Sequence, residues 1–263
     1  MRENDLELLT VAAQRAGDIA KAYFQQDPDV TYKPDGAGPV TEADLAVNAM
    51  LEETLRSARP RYGWLSEETE DNTARLATAR QFVIDPIDGT RAFIDGSKDW
   101  AHSLAVVEDG TPVFAVIYLP VRNLMFAASK GGGATLNGGP ISVTRAPVQD
   151  PTVLATRSNF EPHFWKDGEA PPVKRAFRSS LAYRLALVAQ GRFDAMVTLR
   201  QSWEWDIAAG ALIIAEAGGA VTDRFGAPLQ FNNPHPQVPG VVAGANGLHA
   251  DLLARLEQPA NKA

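Results

Sequence analysis

The residues best suited to do chemistry in this 263-residue chain sit in Ile84-Asp85-Pro86-Ile87-Asp88-Gly89-Thr90. The apolar run before them, residues 81–84, reads as a strand, so both carboxylates arrive at one strand end, in a turn that Pro86 stiffens and Gly89 permits. From Thr90 the chain can begin a helical turn whose free N–H groups point back at the same spot, which suits an anion. Carboxylates crowded beside an anion site make electrostatic sense only with cations between them. An all-oxygen donor set without His or Cys favours Mg²⁺ over zinc. Taken alone, the segment is also compatible with a plain turn and two capping aspartates.

Two distant acidic segments bear on that choice. Ser66-Glu67-Glu68-Thr69-Glu70-Asp71 follows a short apolar run and places four carboxylates in five positions, which singly reads as a solvated loop. Trp205-Asp206-Ile207-Ala208-Ala209-Gly210 puts an aspartate at the start of a small-residue helix, where it singly reads as an N-cap.

The elements that must position these groups follow from periodicity. Leu6, Leu9, Ala13, Ala16, Ile19, Ala20 and Tyr23 recur at helical spacing over 6–24, and Asp27-Pro28 stops that helix. Thr41 reads as an N-cap with Asp44 closing a capping box, and the helix beyond carries Leu45, Met50, Leu51 and Leu55. The period then becomes strand-like at 61–65 and 81–84. Asp109-Gly110 joins 103–107 to 112–119, and Asn137-Gly138 joins 134–136 to 141–143, so 81–144 reads as an antiparallel meander. A boundary at 147–151 divides the chain into an N-terminal α+β half, 1–148, and a C-terminal α/β half, 149–263. The second half reads as a strand at 153–155, a helix at 180–189, a strand at 194–199, helices at 207–217 and 248–256, and a frayed tail from 257.

Composition narrows the function classes. A net charge of −7 argues against a nucleic-acid polymer as partner. The chain has no cysteine, which excludes disulfides, Cys-zinc sites and thiol nucleophiles. No apolar run approaches the roughly 18 residues of a membrane span, and the acidic N-terminus is unlike a signal peptide, so a cytoplasmic protein is expected. No Gly-x-Ser-x-Gly occurs, and Gly96-Ser97-Lys98 lacks the glycine spacing of a P-loop. His102, His163, His235 and His249 have no metal-ligand spacing and read as structural or surface residues, as do Trp203 and Trp205 as core or pocket walls.

Taken in order, Ser-Glu-Glu, Asp-Pro-Ile-Asp-Gly-Thr and Trp-Asp-x-Ala-Ala-Gly resemble the inositol monophosphatase superfamily of Mg²⁺-dependent, lithium-sensitive phosphatases. Lys33-Pro34-Asp35 and Pro39-Val40-Thr41-Glu42-Ala43-Asp44 resemble the family's first motif, and the likeness runs from about 11 to 219. The resemblance implies an α+β fold, a layered α-β-α-β-α sandwich shared with fructose-1,6-bisphosphatases, and a hydrolase acting on a small phosphorylated metabolite. It implies two or three Mg²⁺ per site. Glu67, Asp85 and the Ile87 carbonyl would hold one; Asp85, Asp88 and Asp206 a second; Glu67 would share a third. Gly89 and Thr90 would bind phosphate oxygens, and Thr90 with Asp44 would orient and help deprotonate the attacking water. Many members are dimers, so a homodimer is an open option, but the sequence does not read out the oligomeric state.

Substrate is less legible. Ser66 and Ser179-Ser180-Leu181 look like the 3′(2′),5′-bisphosphate nucleotidase branch, but Ala182 stands where that branch has Lys and Asn159 where it has His. Arg184 and Arg157 could supply replacement charge, and Glu204 could accept hydrogen bonds from a polyol or sugar. Inositol monophosphate or a related polyol phosphate is the leading expectation. The bisphosphate nucleotide, histidinol phosphate and a non-catalytic phospho-ligand-binding regulator are the alternatives.

Overall fold

The computed structural model describes residues 5–26, 28–33, 38–144 and 149–257. The expectations placed on Asp27, Pro34 and Asp35, on the boundary at Pro147 and Val148, and on the tail 258–263 lie outside the described residues.

Helices α1 (Asp5–Tyr23) and α2 (Glu42–Ala58) form the first layer, with the short antiparallel pair β1 (Val30–Tyr32) and β2 (Pro39–Thr41) between them in sequence. Thr41 caps α2 and forms the expected reciprocal capping box with Asp44. The buried stripe of α2 is Ala43, Val47, Leu51 and Leu55, at spacings of four. Leu45, expected on that stripe, lies two residues from Val47, on roughly the opposite side of the helix, and is 51% exposed.

Next comes a seven-stranded sheet in chain order, β3 (Gly63–Ser66), β4 (Arg80–Asp88), β5 (Ala101–Glu108), β6 (Thr111–Leu119), β7 (Leu124–Ser129), β8 (Gly133–Leu136) and β9 (Gly139–Pro140). The pair β3–β4 is parallel and the rest antiparallel. The one-turn helix α3 (Thr90–Ile94) sits between β4 and β5. Asp109 and Gly110, with φ of 48° and 76°, make the primed turn that suits right-twisted strands. Asn137-Gly138 also turns a hairpin, but its second strand is Gly139–Pro140 and not 141–143; the Ile141 N–H still reaches the Ala134 carbonyl at 3.0 Å, and pairing stops where the Val143 N–H goes instead to the Ala217 carbonyl.

The second half contributes β10 (Thr152–Leu154), β11 (Lys174–Ala176), α4 (Leu181–Ala189), β12 (Ala195–Thr198), β13 (Ser202–Trp203), α5 (Glu204–Glu216), β14 (Ala220–Thr222), β15 (Gln237–Val238), β16 (Val241–Gly244) and α6 (Asn246–Arg255). A five-stranded sheet runs β11-β10-β12-β16-β14, while β13 and β15 pair separately. Helices α4 and α5 lie between the two sheets, and α6 covers the far face of the second.

The result is the expected α-β-α-β-α order of layers. Helix α5 is apolar around its whole circumference, as a helix between two sheets must be. Its approach to α4 depends on Gly210, where an added Cβ would meet Leu185 Cβ at 2.5 Å. One apolar cluster joins Val83, Ile117 and Phe126 of the first sheet to Leu185, Ile213, Met196 and Ala243, so residues from both sequence halves share an interior.

Candidate metal centre

Register and pleat bring the acidic segments together. Ser66 pairs with Ile84 in the parallel ladder, which sets the next residue of each strand, Glu67 and Asp85, side by side; the Glu67 N–H donates to the Ile84 carbonyl at 3.2 Å. Along β4, Phe82 and Ile84 face α1 and α2, whereas Val83 faces α4 and α5. By alternation Asp85 faces α5 as well. Across the sheet Asp85 pairs with Ser103, whose hydroxyl donates to the Trp205 carbonyl at 2.9 Å and ties down the first turn of α5. Asp206 is the third residue of that helix. Carboxylate oxygens of Glu67, Asp85 and Asp206 thereby lie within 4.8 Å of one another.

The ladder slips between Asp85 and Asp88, which pair with Ser103 and Ala101, a β-bulge that re-aims Asp88. Asp88 Oδ2 accepts from Ser180 Oγ at 2.6 Å and from the Ala182 N–H at 2.5 Å, at the start of α4. Gly89, at φ 101°, makes the left-handed step into α3 that a Cβ would disfavour. Thr90 Oγ1 then lies 3.3 Å from both Asp44 Oδ1 and the Ile87 carbonyl. Asp44 Oδ2 takes the Thr41 N–H at 2.8 Å and its hydroxyl at 2.6 Å, so one carboxylate caps α2 and holds Thr90. Lys33 Nζ donates to Glu67 at 2.8 Å and Glu68 at 2.7 Å.

Electrostatically the cluster is short of positive charge. Asp85 is 1% exposed, and its Oδ1 has no hydrogen-bond partner among the described residues. Burial first, then the charges of Glu67, Asp88 and Asp206, push its carboxyl well above the ordinary range. Burial and the charges of Asp88 and Glu67 do the same to Asp206, and burial raises Asp88 against the hydrogen bonds from Ser180 and Ala182. Burial also raises Asp44. Buried like charges are costly unless neutralised. A partnerless buried carboxylate oxygen amid hard oxygen donors is what a divalent cation fits.

Several expected residues fall elsewhere. Glu204 is not turned toward a substrate: it is fully buried, and its oxygens accept from the Asn232 N–H at 2.7 Å, the Asn233 N–H at 2.9 Å and Asn233 Nδ2 at 2.7 Å, so it is spent on that loop. Asp206 is not the N-cap, since Trp203 holds that position and α5 starts at Glu204. Asn159 is buried and clamped to the Val197 carbonyl and Leu199 N–H, and Arg157 is exposed in the one-turn 3₁₀ segment beside it. Arg184 is nearly buried, bonds to the Arg178 and Ser179 carbonyls, and feels the charges of Asp88 and Asp206; burial brings it down to about 10. Trp203 and Trp205 stack at 4.7 Å with planes 8° apart, beside Asp206. Ser103 and Ser180 were not singled out as site residues from sequence. Their partners lie 102 and 92 residues away, and nothing local signals either contact.

Five layers with buried carboxylates gathered from a sheet and a helix make this a layered α+β protein with a candidate cation centre. The chain belongs to the inositol monophosphatase family, whose model matches residues 1–261. It is 35% identical over 232 residues to the Nus factor SuhB of Escherichia coli, covering 84% of this chain and 85% of that one. It is 32% identical to the histidinol-phosphatase of Mycobacterium tuberculosis, covering 97% and 99%, and 32% identical to the inositol-1-monophosphatase of Rhizobium meliloti, covering 97% and 96%. The IMPase of Thermotoga maritima superposes with a TM-score of 0.80 at 27% identity, covering 96% of each chain. Among the described residues no helix is long and apolar enough to cross a membrane.

Proposed function

We propose that this chain is a Mg²⁺-dependent phosphatase of a small phosphomonoester, with inositol monophosphate or a related polyol phosphate as the leading substrate. The observation that carries this reading is the cluster of half-buried Glu67 and Asp206 around buried Asp85, whose Oδ1 has no hydrogen-bond partner among the described residues. Glu67, Asp85 and the Ile87 carbonyl would hold one cation, Asp85, Asp88 and Asp206 a second, and Glu67 would share a third. When bound, Mg²⁺ supplies Lewis acidity and neutralises charge on the phosphoryl group.

The chain's own residues divide the remaining work. The Gly89 and Thr90 N–H groups, heading α3, bind phosphate oxygens. Thr90 Oγ1 orients the attacking water and passes its proton toward Asp44 Oδ1, a carboxylate that burial makes more basic than usual. Arg184, although buried, would lend its charge to the substrate side through its proximity to Asp88 and Asp206, whose charges it feels. The division at 148/149 belongs to the same reading, with one half supplying Asp44, Glu67, Asp85 and Asp88 and the other Asp206. So does a homodimer, which light scattering checks.

Relatives named as an inositol-1-monophosphatase and a histidinol-phosphatase support a phosphatase and keep histidinol phosphate among the substrates. Relatives named Nus factor SuhB favour a second reading, a phospho-ligand-binding regulator. The net charge of −7 still speaks against a phosphate polymer as ligand. The deciding experiment is Mg²⁺-dependent turnover on inositol 1-phosphate, 3′-phosphoadenosine 5′-phosphate, histidinol phosphate and fructose 1,6-bisphosphate. Inositol 1-phosphate should be cleaved fastest, with millimolar-range Li⁺ inhibiting uncompetitively and less so in Asp206→Asn. Tight binding of one of these ligands without turnover of any would replace the phosphatase reading by the regulator.

A further inference from the structure

We propose that His102 is a positioning residue that sets the carbonyl geometry of the Asp85–Asp88 bulge and so the shape of the cation site. The proposal rests on the reading that this cluster holds a divalent cation.

Strand β5 alternates between two cores: Ala101 and Ala105 face α4 and α5, whereas Trp100, Leu104 and Val106 face α1 and α2. His102 falls on the α1/α2 face, where it is fully buried and lies on the opposite side of the sheet from Asp85. A polar side chain at that depth needs a partner. Its Nδ1 hydrogen-bonds to the Pro86 carbonyl.

The ladder explains why that carbonyl is available. Asp85 pairs with Ser103 and Asp88 with Ala101, which leaves two residues, Pro86 and Ile87, opposite one, His102. This is the two-against-one arrangement of a bulge, and one residue's backbone cannot serve both. Pro86 has no N–H to offer, so an acceptor is what it presents. The imidazole of His102 takes up that acceptor.

The donor role is fixed by chemistry. A carbonyl only accepts, so Nδ1 carries the proton. Burial pushes His102 down to about 4, which leaves the ring neutral with Nε2 bare. The ring is held by Trp100, edge-on at 5.6 Å, and by Tyr118 at 6.3 Å. With the Pro86 carbonyl held by His102, the next carbonyl, that of Ile87, stands against Thr90 Oγ1 on the site side. His102 would thus decide the orientation of groups on both sides of it, although it touches neither cation nor substrate.

The test compares the full-length wild type with His102→Phe, which keeps a ring but loses the donor, and His102→Asn, which restores an N–H near the Nδ1 position. Mn²⁺ affinity is read directly by calorimetry, alongside the Mg²⁺ concentration for half-maximal turnover and the melting midpoint in chelator. Groups that orient metal ligands typically contribute 10–100-fold in metal affinity, so His102→Phe should lose about that factor and His102→Asn should recover most of it. Wild-type affinity in folded His102→Phe, or an equal loss in both variants, overturns the proposal. If His102→Phe does not fold, ¹⁵N-labelled wild type decides it. A protonated Nδ1 whose resonance shifts when Mg²⁺ is added supports the role, and an unmoved resonance overturns it. Wild type that binds no Mn²⁺ overturns the metal reading itself and this proposal with it.

Discussion

Two buried carboxylates near opposite ends of β4 keep opposite company. Asp5, 6% exposed, accepts from Arg59 Nε at 2.7 Å, Tyr62 Oη at 2.9 Å and Arg80 Nη1 at 3.3 Å, and Arg80 also donates to Glu108 at 2.8 Å. That clasp joins the start of α1 to the end of α2, the first residue of β4 and the last of β5. At the other end of β4, Asp85 meets Glu67, Asp88 and Asp206 and keeps an oxygen with no donor among the described residues. Burial alone therefore does not distinguish a carboxylate that holds the fold together from one that could meet a cation. The donors around it do.

The contrast is tested most severely at Asp85. Asp85→Asn should abolish turnover at any Mg²⁺ concentration while raising the melting midpoint of the metal-free protein, because it removes one of several buried like charges. Turnover near the wild-type rate at saturating Mg²⁺ would remove Asp85 from the centre. Thr90→Ala comes next, with kcat expected to fall by about 10²–10⁴-fold and the Mg²⁺ requirement unchanged. Full recovery at high Mg²⁺ would make Thr90 a neighbour of the metals and not a participant in proton transfer.

On the structural side of the contrast, Asp5→Ala removes the carboxylate that Arg59, Tyr62 and Arg80 share, while Arg80 keeps Glu108. A loss of about 1–3 kcal/mol in denaturant unfolding is expected, the range for hydrogen bonds to a charged group lost at a partly exposed site, with Mn²⁺ affinity unchanged. A loss of affinity comparable to that of Asp85→Asn would erase the distinction between the two ends of β4.

The smallest effect is one of pH. Asp85 and Asp206 are raised in the folded chain, so without metal it holds protons that the unfolded chain releases above about pH 4. That contribution is present toward acid and fades as pH rises through the folded-state values. In chelator the melting midpoint should therefore be higher at pH 6.5 than at 8.5, by at most about 1.4 kcal/mol per pH unit for each proton held. Asp85→Asn should reduce the difference without abolishing it, because Glu68, pushed up to about 7 chiefly by burial, titrates in the same window with the same sign. The window stops at 6.5 because His102, pushed down to about 4, acts with the opposite sign below it. A midpoint that falls between pH 8.5 and 6.5 would contradict the crowded-carboxylate account.

What the sequence made legible was local. The Thr41–Asp44 box closes within one turn, Gly89 and Thr90 carry their own left-handed step and helix start, and Asp109-Gly110 dictates its hairpin, whereas Asp85 to Asp88, read from sequence as a turn, is the bulged end of β4 because β5 goes on pairing with it. What it hid depends on residues far along the chain. The three- and four-residue strands β11, β14 and β16 are too short to show a period and exist because neighbours pair with them. Glu204 and Asp206 stand two apart at one helix start. Only the loop at Asn232 and Asn233, folded back against α5, decides that the first is consumed and the second is not. Leu45 failed for a related reason, since an apolar residue near the right spacing is not thereby on the buried face.

The Trp203–Trp205 stack gives the centre an optical property. Two indoles 4.7 Å apart and 8° from parallel couple their transitions, and the resulting near-ultraviolet dichroism depends steeply on their mutual angle. Trp205 immediately precedes Asp206, and its carbonyl is held by Ser103 across from Asp85. If cations gather these carboxylates and shift the first turn of α5, that shift would be written into the spectrum of the unlabelled protein. Occupancy of the site becomes something to watch by light, in real time and without substrate.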